Sequence, residues 1–389
     1  MYISRLAVDQ YRSWSSFVLD LEPGLNIVQG RNGMGKTNLV EALEVLSTGS
    51  SHRVSSSAPL VQRGQSKATI RANAQEGGQT ITYELTVALR GANRGRINGG
   101  PSLYMRDLVG RVPSVTFWPE DQRLVTGEPS GRRTFLDQMA SQLDPSYYQL
   151  RQDVSHLAQQ RGALLKQLSR AQEDGRFGAG PSQADLSTLE VWTAQFIAKG
   201  MELTARRMRL LQELQEPLES IYRQLAGQEQ EVALVYQPSF AEVLESGVSQ
   251  ESSQRISQHF QRIYPGELAR GQNLIGPQRD DFAFTLNGMP AKEYASNGEE
   301  WTLALALRLA EYQRLSEQAD SNPILVLDDV FAQLDEQRRR QILQFAQRQP
   351  QVIMTVAALS DIPQTDQAHV IDLAQLVQER AALEASLLP

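Results

Sequence analysis

The sequence predicts an α/β nucleotide-binding domain interrupted by a helical lobe. A glycine-rich loop, QGRNGMGKTN at 29–38, lies between a short apolar stretch and a segment with helical spacing of apolar residues. After Pro119 the pattern changes from strand-like to helical, and strand character returns at Leu274. One domain whose sequence is split by an insertion is the simplest account of this order.

Strands are predicted over most of the first 118 residues. The start of the chain, MYISRLAVDQ, alternates partly between apolar and polar residues. The later stretches ATIRANA, QTITYELTVAL and RVPSVTFW are rich in β-branched and aromatic residues and are separated by glycine and asparagine turns.

The glycine-rich loop fits the P-loop pattern GxxxxGK[ST] through Gly30, Gly35, Lys36 and Thr37. Backbone N–H groups of such a loop wrap a polyphosphate, lysine reaches the terminal phosphates, and the threonine hydroxyl reaches Mg²⁺. The following helix would direct the positive end of its dipole at the phosphates. The predicted nucleotide-binding residues are Gly30, Arg31, Asn32, Gly33, Met34, Gly35, Lys36, Thr37 and Asn38.

The partner carboxylate for Mg²⁺ is expected at the end of a buried strand beside the P-loop. The apolar run 324–327 followed by Asp328 and Asp329 meets this requirement. We expect Asp328 to hold Mg²⁺ together with Thr37, and Asp329 to orient the water that attacks the γ-phosphate. Lys36, Asp328 and Asp329 are therefore the predicted catalytic residues.

The residues between Pro119 and Leu274 predict a helical lobe. Apolar residues recur at three and four spacing in RRTFLDQMASQLD, in YYQLRQDVSHLAQQRGALLKQLSRAQ and from Leu186 to Leu225. The segment EDGRFGAGPSQA should break the helix and turn the chain back into a hairpin. A short coiled-coil-like arm and an ordinary helical bundle both fit this pattern.

Composition excludes several classes of function. The 389-residue chain has no cysteine, so it has no disulfide and no thiolate metal site, which suits a reducing cytoplasm. It has no run of 18 apolar residues, so we expect no membrane association. Its net charge is −7, so DNA contacts would have to come from local basic patches.

Two further segments resemble parts of the ABC ATPases. SNGE precedes an apolar helix and is similar to the signature sequence of that family, and AQLD follows the Asp pair and is similar to the D-loop. In that family two heads enclose ATP, and each signature helix faces the γ-phosphate held by the other head. The resemblance implies that the signature acts in trans and that ATP drives homodimerisation. The implied signature residues are Ser296, Asn297, Gly298 and Glu299, and the implied D-loop residues are Ala332, Leu334 and Asp335.

Over most of its length the chain resembles the RecF family, the recombination mediators among the ABC and SMC-like ATPases. The resemblance is carried by YRSW at 11–14, GRNGMGKTNLVEAL at 30–43, WPEDQRLVTGEPSGRRTFLD at 118–137, LIGPQRDDFAFTLNG at 274–288, YASNGEEWTLALALRLAE at 294–311 and ILVLDDVFAQLD at 324–335.

The resemblance implies an ABC-type head in which lobe I has a mixed sheet with flanking helices and lobe II is the inserted helical lobe. It divides the chain into lobe I at 1–118, lobe II at 119–273, lobe I again at 274–375 and a tail at 376–389. It also implies a cytoplasmic, nucleoid-associated protein. The implied function is ATP-dependent binding to gapped DNA or single-strand to double-strand junctions, with RecR and, indirectly, RecO and RecA as partners. Asp329 replaces the glutamate typical of ABC sites, which implies slow, DNA-stimulated hydrolysis that acts as a timer.

Arginines are the candidate contacts to DNA phosphates. Two groups of candidates are Arg132 and Arg133 at a helix start and Arg206, Arg207 and Arg209 on a lobe helix. Two further groups are Arg90, Arg94 and Arg96 around a glycine turn and Arg338 to Arg340 after the D-loop. Two other functions stay open at this point: a P-loop kinase of a small metabolite, and a structural SMC-like chromosome protein.

Overall fold

The structure is a computed structural model that describes residues 1–54, 56–173, 183–227, 230–318, 322–331, 334, 336–363 and 367–387. Its strands are β1 (Tyr2–Tyr11), β2 (Trp14–Asp20), β3 (Gly24–Gln29), β4 (Lys67–Glu76), β5 (Gln79–Ala88), β6 (Arg94–Ile97), β7 (Leu103–Tyr104), β8 (Ser114–Phe117), β9 (Val232–Gln237), β10 (Asp281–Leu286), β11 (Met289–Pro290), β12 (Ile324–Asp328), β13 (Gln351–Val356) and β14 (Ala368–Asp372).

The helices are α1 (Lys36–Thr48), α2 (Met105–Leu108), α3 (Arg123–Thr126), α4 (Pro129–Leu143), α5 (Pro145–Glu173), α6 (Gln183–Ala226), α7 (Glu242–Ser246), α8 (Gln250–Arg270), α9 (Ala291–Tyr294), α10 (Asn297–Gln318), α11 (Glu336–Ala346) and α12 (Leu373–Leu387). Short 3₁₀ turns lie at Ala58–Leu60, Pro119–Gln122, Pro277–Arg279 and Leu359–Asp361. Within these described segments, no helix has the length and apolar character needed to cross a membrane.

Two sheets make up the nucleotide-binding part of the chain. One is parallel and five-stranded, in the order β14-β3-β13-β12-β8, and the other is antiparallel and six-stranded, in the order β2-β1-β4-β5-β6-β7. The α/β class and the predicted strands of the first 118 residues are confirmed. The mixed parallel and antiparallel pairing expected for lobe I is present as these two sheets.

The burial patterns explain why each strand joins its sheet. Every residue of β8, β12 and β13 is buried, as expected for a parallel sheet covered on both faces. Buried and partly exposed residues alternate along β4 and β5, which have one covered face. Helix α1 provides that cover, since Leu39 and Leu43 share one apolar cluster with Ile70 of the antiparallel sheet and Val326 of the parallel sheet.

The helical lobe contains the predicted hairpin, formed by α5 and α6. Arg161 of α5 donates to the Thr193 hydroxyl of α6 at 2.9 Å and forms a buried ion pair with Glu267 of α8. Leu165, Leu189 and α8 Leu268 pack in one cluster, so three helices contact one another in this lobe. This packing favours an ordinary helical bundle over a short coiled-coil-like arm. The turn at 174–182, where the chain was expected to reverse, lies outside the described residues.

Strand β9 lies in a stretch that the sequence analysis predicts to be part of the helical lobe. It pairs antiparallel with β10, and together with β11 the two form a separate three-stranded sheet. The predicted boundary at residue 274 therefore separates two strands that pair with each other. The pattern VALVYQ is short and lies between two helices, which is why helical periodicity on either side obscured it.

A buried ion triad fixes α10 against the segment that follows β8. Arg308 of α10 donates to both carboxylate oxygens of Asp121 at 2.9 Å, and it donates to Glu311 at 3.0 Å. Arg308 and Glu311 are 5% and 2% exposed, so both lie inside the protein. The carboxylates that Arg308 contacts compensate its buried charge. Burial raises the pKa of Glu311 to about 7 against the opposing effect of Arg308.

The shifted pKa predicts a pH-dependent effect of Glu311→Gln. Since the folded protein holds the Glu311 proton up to about pH 7 and the ordinary value is 4.5, wild type loses stability relative to the variant as pH rises between these values. Urea unfolding of both proteins across this range should show a stability difference that moves steadily in favour of the variant and becomes constant at higher pH. A difference that is the same at every pH would contradict the assignment.

Candidate functional site

The P-loop follows β3 and enters α1 through two glycines in the left-handed region. Gly33 has φ +85° and Gly35 has φ +92°, values that a side chain would strain. Gly35 also lacks room for a Cβ, because an added carbon would lie 2.9 Å from the Trp14 indole. The indole N–H of Trp14 donates to the Gly35 carbonyl oxygen at 3.2 Å, so the β1–β2 hairpin holds the loop at the start of α1.

The ammonium group of Lys36 lies over the loop. It donates to the Gly30 carbonyl oxygen and to that of Arg31 at 3.3 Å. Burial lowers the pKa of Lys36, and the carboxylates of Asp329 and Asp328 oppose this shift. The predicted lysine and both predicted aspartates therefore lie within electrostatic reach of one another.

A chain of hydrogen bonds joins α1 to the ends of two parallel strands. The Thr37 hydroxyl donates to one carboxylate oxygen of Asp328 at 2.9 Å, and the Thr355 hydroxyl donates to the other at 2.5 Å. The backbone N–H of Asp329 donates to Thr355 at 3.0 Å. Parallel pairing of β12 with β13 brings these groups to the same edge of the sheet.

The two aspartates differ in environment. Asp328 is 3% exposed. Burial raises its pKa, while the hydrogen bonds from Thr355 and Thr37 lower it. Asp329 is only partly buried and has φ +47°, which is uncommon outside glycine and points to a functional constraint.

The donor set fits a magnesium ion. Thr37 and Asp328 present oxygen atoms at one point, and among the described residues the hydrogen-bond partners of the buried Asp328 carboxylate are hydroxyl groups. In the described part of the chain, no group of three or more His, Cys, Asp or Glu residues forms a metal cage. Mg²⁺ suits such a site, because it is bound through one or two protein oxygens, phosphate and water.

The signature segment caps α10. The Ser296 backbone N–H and hydroxyl donate to Glu299 at 2.8 and 2.7 Å, which is a capping-box arrangement. Glu299 accepts from Gln230 at 3.3 Å, and hydrogen bonds from Ser296 lower the pKa of Glu299. The Ser296 and Asn297 side chains are exposed, and over the described ranges no hydrogen bond joins this segment to the P-loop of its own chain.

Of the D-loop residues, Ala332 and Asp335 lie outside the described residues, and Leu334 is buried. The Leu334 carbonyl accepts from Arg339 of α11 at 2.9 Å. A P-loop, an acidic strand end and a separate helix-capping signature, placed on a parallel sheet with an inserted helical lobe, define a P-loop ATPase head of the ABC type.

Comparison with known proteins agrees with this class. The RecF/RecN/SMC N-terminal domain family matches residues 2–379. The chain is 62% identical over 377 residues to the DNA replication and repair protein RecF of Bifidobacterium adolescentis, covering 97% of this chain and 92% of that protein. It is 55% identical over 388 residues to the protein of the same name from Bifidobacterium longum subsp. infantis, covering 100% of this chain and 92% of that protein.

A solved structure of the recombination mediator protein RecF-ATPrS in the RecFOR pathway is similar to the fold with a TM-score of 0.83. The two chains are 25% identical, and the match covers 95% of this chain and 97% of that one. The chain described here therefore belongs to the RecF family.

The structure corrects two of the predicted DNA contacts. Arg132 is 4% exposed and donates to both carboxylate oxygens of Asp281 at 2.7 and 2.9 Å. Arg207 is 3% exposed and donates to both oxygens of Asp137 at 2.9 and 3.0 Å. Because both guanidinium groups are enclosed and paired, the prediction that they contact DNA is wrong.

The other three candidates remain partly or fully accessible. Arg206 is half-buried and pairs with Asp144 and Glu202 at 2.8 and 2.9 Å. Arg133 donates to the Asp280 carbonyl oxygen at 2.8 Å, and Arg209 is exposed. The role of these three in DNA binding stays a prediction.

Three residues of the site were not identified from the sequence. Thr355 is the next-to-last residue of the buried strand β13, and its polar side chain after an apolar run was the signal in the sequence. Glu120 follows β8, the parallel neighbour of β12, and contributes to the raised pKa of Asp328. Trp14 lies in the YRSW motif, but nothing in the sequence indicates that its ring covers Gly35.

Arg207 and Arg209 form a matched pair for testing the correction, since they lie two residues apart on α6. We expect Arg207→Met to lower the free energy of unfolding by about 3–5 kcal/mol, because Asp137 would be left buried without its cation. Arg209→Met should change it by less than about 0.5 kcal/mol, as a surface substitution does. Urea unfolding of the two variants gives the comparison, and equal effects would show that Arg207 is not a buried structural cation.

Proposed function

We propose that this chain is an ATP-dependent DNA-binding protein of recombinational repair of gaps and of replication-fork maintenance. One observation carries the proposal: each chain holds the P-loop with its acidic partner, while the signature segment is exposed and bonded elsewhere. A single chain therefore contains two halves of a nucleotide site that do not meet. Two copies that exchange these halves would complete two sites.

ATP is the nucleotide that the family membership supports, since the solved RecF structure contains an ATP analogue. Backbone N–H groups from Gly30 to Asn38 would surround the phosphates, and Lys36 would exchange its loop carbonyl partners for phosphate oxygens. Thr37 and Asp328 would hold Mg²⁺, which neutralises charge on the phosphates when it is bound.

Asp329 would position the hydrolytic water. Its left-handed backbone is held by the hydrogen bond to Thr355, and its carboxylate lies near Lys36. An aspartate reaches less far than a glutamate, so hydrolysis would be slow and would time the release of DNA. DNA stimulation of this activity belongs to the same proposal.

Dimerisation would follow from the signature segment. Ser296 lies at the exposed start of α10, and the start of a helix binds phosphate through its backbone N–H groups. We propose that Ser296 through Glu299 bind the γ-phosphate held by the other copy, with the D-loop residues Ala332, Leu334 and Asp335 at the same junction. ATP then links two chains, and its hydrolysis separates them.

DNA and protein partners follow from the relatives. Proteins that match more than nine tenths of the chain are named as DNA replication and repair proteins, and the solved relative is assigned to the RecFOR pathway. We propose that the dimer clamps gapped DNA or single-strand to double-strand junctions and acts with RecR, and indirectly RecO, to load RecA during SOS induction. The same relatives argue against a metabolite kinase.

Asp329→Asn tests the clamp. Because loss of a positioned base slows hydrolysis by about 10²- to 10⁴-fold, the variant should form a dimer with ATP and Mg²⁺ that persists on DNA far longer than wild type. Light scattering during gel filtration measures the dimer, and competitor challenge of labelled gapped DNA measures its lifetime.

Asp20→Asn is the matched control, since this carboxylate is exposed and pairs with Arg5 on β1. It should behave as wild type. An Asp329→Asn dimer with the lifetime of wild type would reject Asp329 as the residue that limits dimer release.

Lys36→Met should weaken ATP-driven dimerisation, because the ammonium contact with the terminal phosphates is lost. We expect at least about a tenfold higher ATP concentration for half-maximal dimer, a loss typical of one charged hydrogen bond. Sedimentation velocity across a series of ATP concentrations measures the fraction of dimer. An unchanged ATP concentration for half-maximal dimer would show that Lys36 does not contact the phosphates.

A further inference from the structure

The outer face of the antiparallel sheet carries an unusual combination of exposed side chains. Tyr104 of β7 is 52% exposed. The guanidinium carbon of Arg94 lies 4.1 Å from the centre of its ring, and that of Arg106 lies 5.0 Å from it. The two guanidinium groups lie against an exposed aromatic ring, and rings and guanidinium planes are groups on which nucleobases stack.

Strand register puts these groups on one face. Arg94 lies directly opposite Tyr104 in the β6–β7 pair, and Arg96 lies on the same face two residues along. Gly95 between them is buried and faces Leu108 of α2, where an added Cβ would lie 2.9 Å from the leucine side chain. This close packing directs Arg94 and Arg96 outward.

The face lies opposite the nucleotide-binding helix. The inner face of the sheet, including Leu85 and Val87 of β5, packs in the cluster that contains α1. The outer face of β5 opposite Arg94 and Arg96 carries Thr86 and Glu84, and both of these residues are partly exposed. A strand of nucleic acid on this face would not obstruct the P-loop.

Charge on this face is positive although the chain as a whole is acidic. The carboxylate of Glu84 is bound by Arg71 at 2.7 Å, and Arg71 also binds Asp9 at 2.6 Å. Throughout the described residues, neither Arg94 nor Arg96 has a carboxylate within 4.0 Å. These two cations are therefore available to phosphates.

We propose that Tyr104, Arg94, Arg96 and Arg106 form a binding platform for single-stranded DNA, which we call the Tyr104 platform. Bases of a duplex are already stacked on each other, whereas unpaired bases can stack on a ring or on a guanidinium plane. The platform thus selects the single-stranded side of a gap or junction. The inference rests on the proposed DNA binding. It adds which DNA strand the protein binds and which surface of the protein binds it.

The test compares three probes by fluorescence anisotropy with ATP and Mg²⁺: an oligo-dT strand of about 20 nucleotides, an abasic strand of equal length, and a blunt duplex. We expect Tyr104→Ala to weaken oligo-dT binding about five- to hundredfold, as loss of one stacked base does, and to leave the abasic strand and the duplex near wild type. Tyr104→Phe keeps the ring and should retain oligo-dT binding.

Arg94→Gln should weaken binding of oligo-dT and of the abasic strand alike. It should also reduce the slope of log affinity against log salt concentration by about one, as expected for the loss of one phosphate contact. Arg255→Gln is the control, because this arginine is on the distant helix α8 and pairs with the exposed Glu245. Thermal melts of all variants show whether each remains folded.

Two results would overturn the platform. One is oligo-dT binding by Tyr104→Ala at the wild-type level, and the other is an equal loss of affinity for oligo-dT and the abasic strand. In each case DNA binding by wild type that depends on ATP would leave the proposed function standing, whereas wild type that binds none of the three probes would remove both.

Discussion

The hydrogen bond between the Thr37 hydroxyl and Asp328 joins the start of α1 to the end of β12, and the position of the whole site depends on it. Asp328 is almost fully buried, and two hydroxyl donors together with the nearby ammonium group of Lys36 compensate its charge. Removing one partner of such a group leaves a buried polar atom unsatisfied, which is more costly than the bond itself is stabilising. The P-loop helix, β12 and β13 are therefore held in one arrangement, in which the Thr37 hydroxyl oxygen and the Asp328 carboxylate would hold a metal ion.

The same parallel sheet connects this site to the signature helix α10. Segment 118–122 follows β8, the neighbour of β12, and Asp121 within it binds Arg308 of α10, the helix that the signature segment begins. The contact between Asp121 and Arg308 thus joins the phosphate end of the sheet to the signature helix.

Much of this architecture could be predicted from local patterns. The P-loop, the Asp pair and the helical hairpin are carried by contiguous residues whose spacing reflects their chemistry. Arg132 and Arg207 could not be assigned, because arginines that pair with Asp281 and Asp137 look the same in sequence as arginines that face DNA. Strand β9 and Thr355 depend on long-range pairing, and the contact of Trp14 with Gly35 depends on where the β1–β2 hairpin folds back. Sequence patterns report periodicity and spacing, whereas these features are decided by tertiary packing.

The central claim is that each nucleotide site is shared between two chains, and a mixing experiment tests it most directly. Lys36→Met disables the P-loop of its own chain, and Ser296→Arg blocks the signature with a bulky cation. In a mixed dimer, an intact P-loop from the second variant meets an intact signature from the first. We expect each variant alone to be inactive and an equimolar mixture to recover ATP hydrolysis, up to about half the wild-type rate when every dimer is mixed. A mixture as inactive as its components would contradict the account.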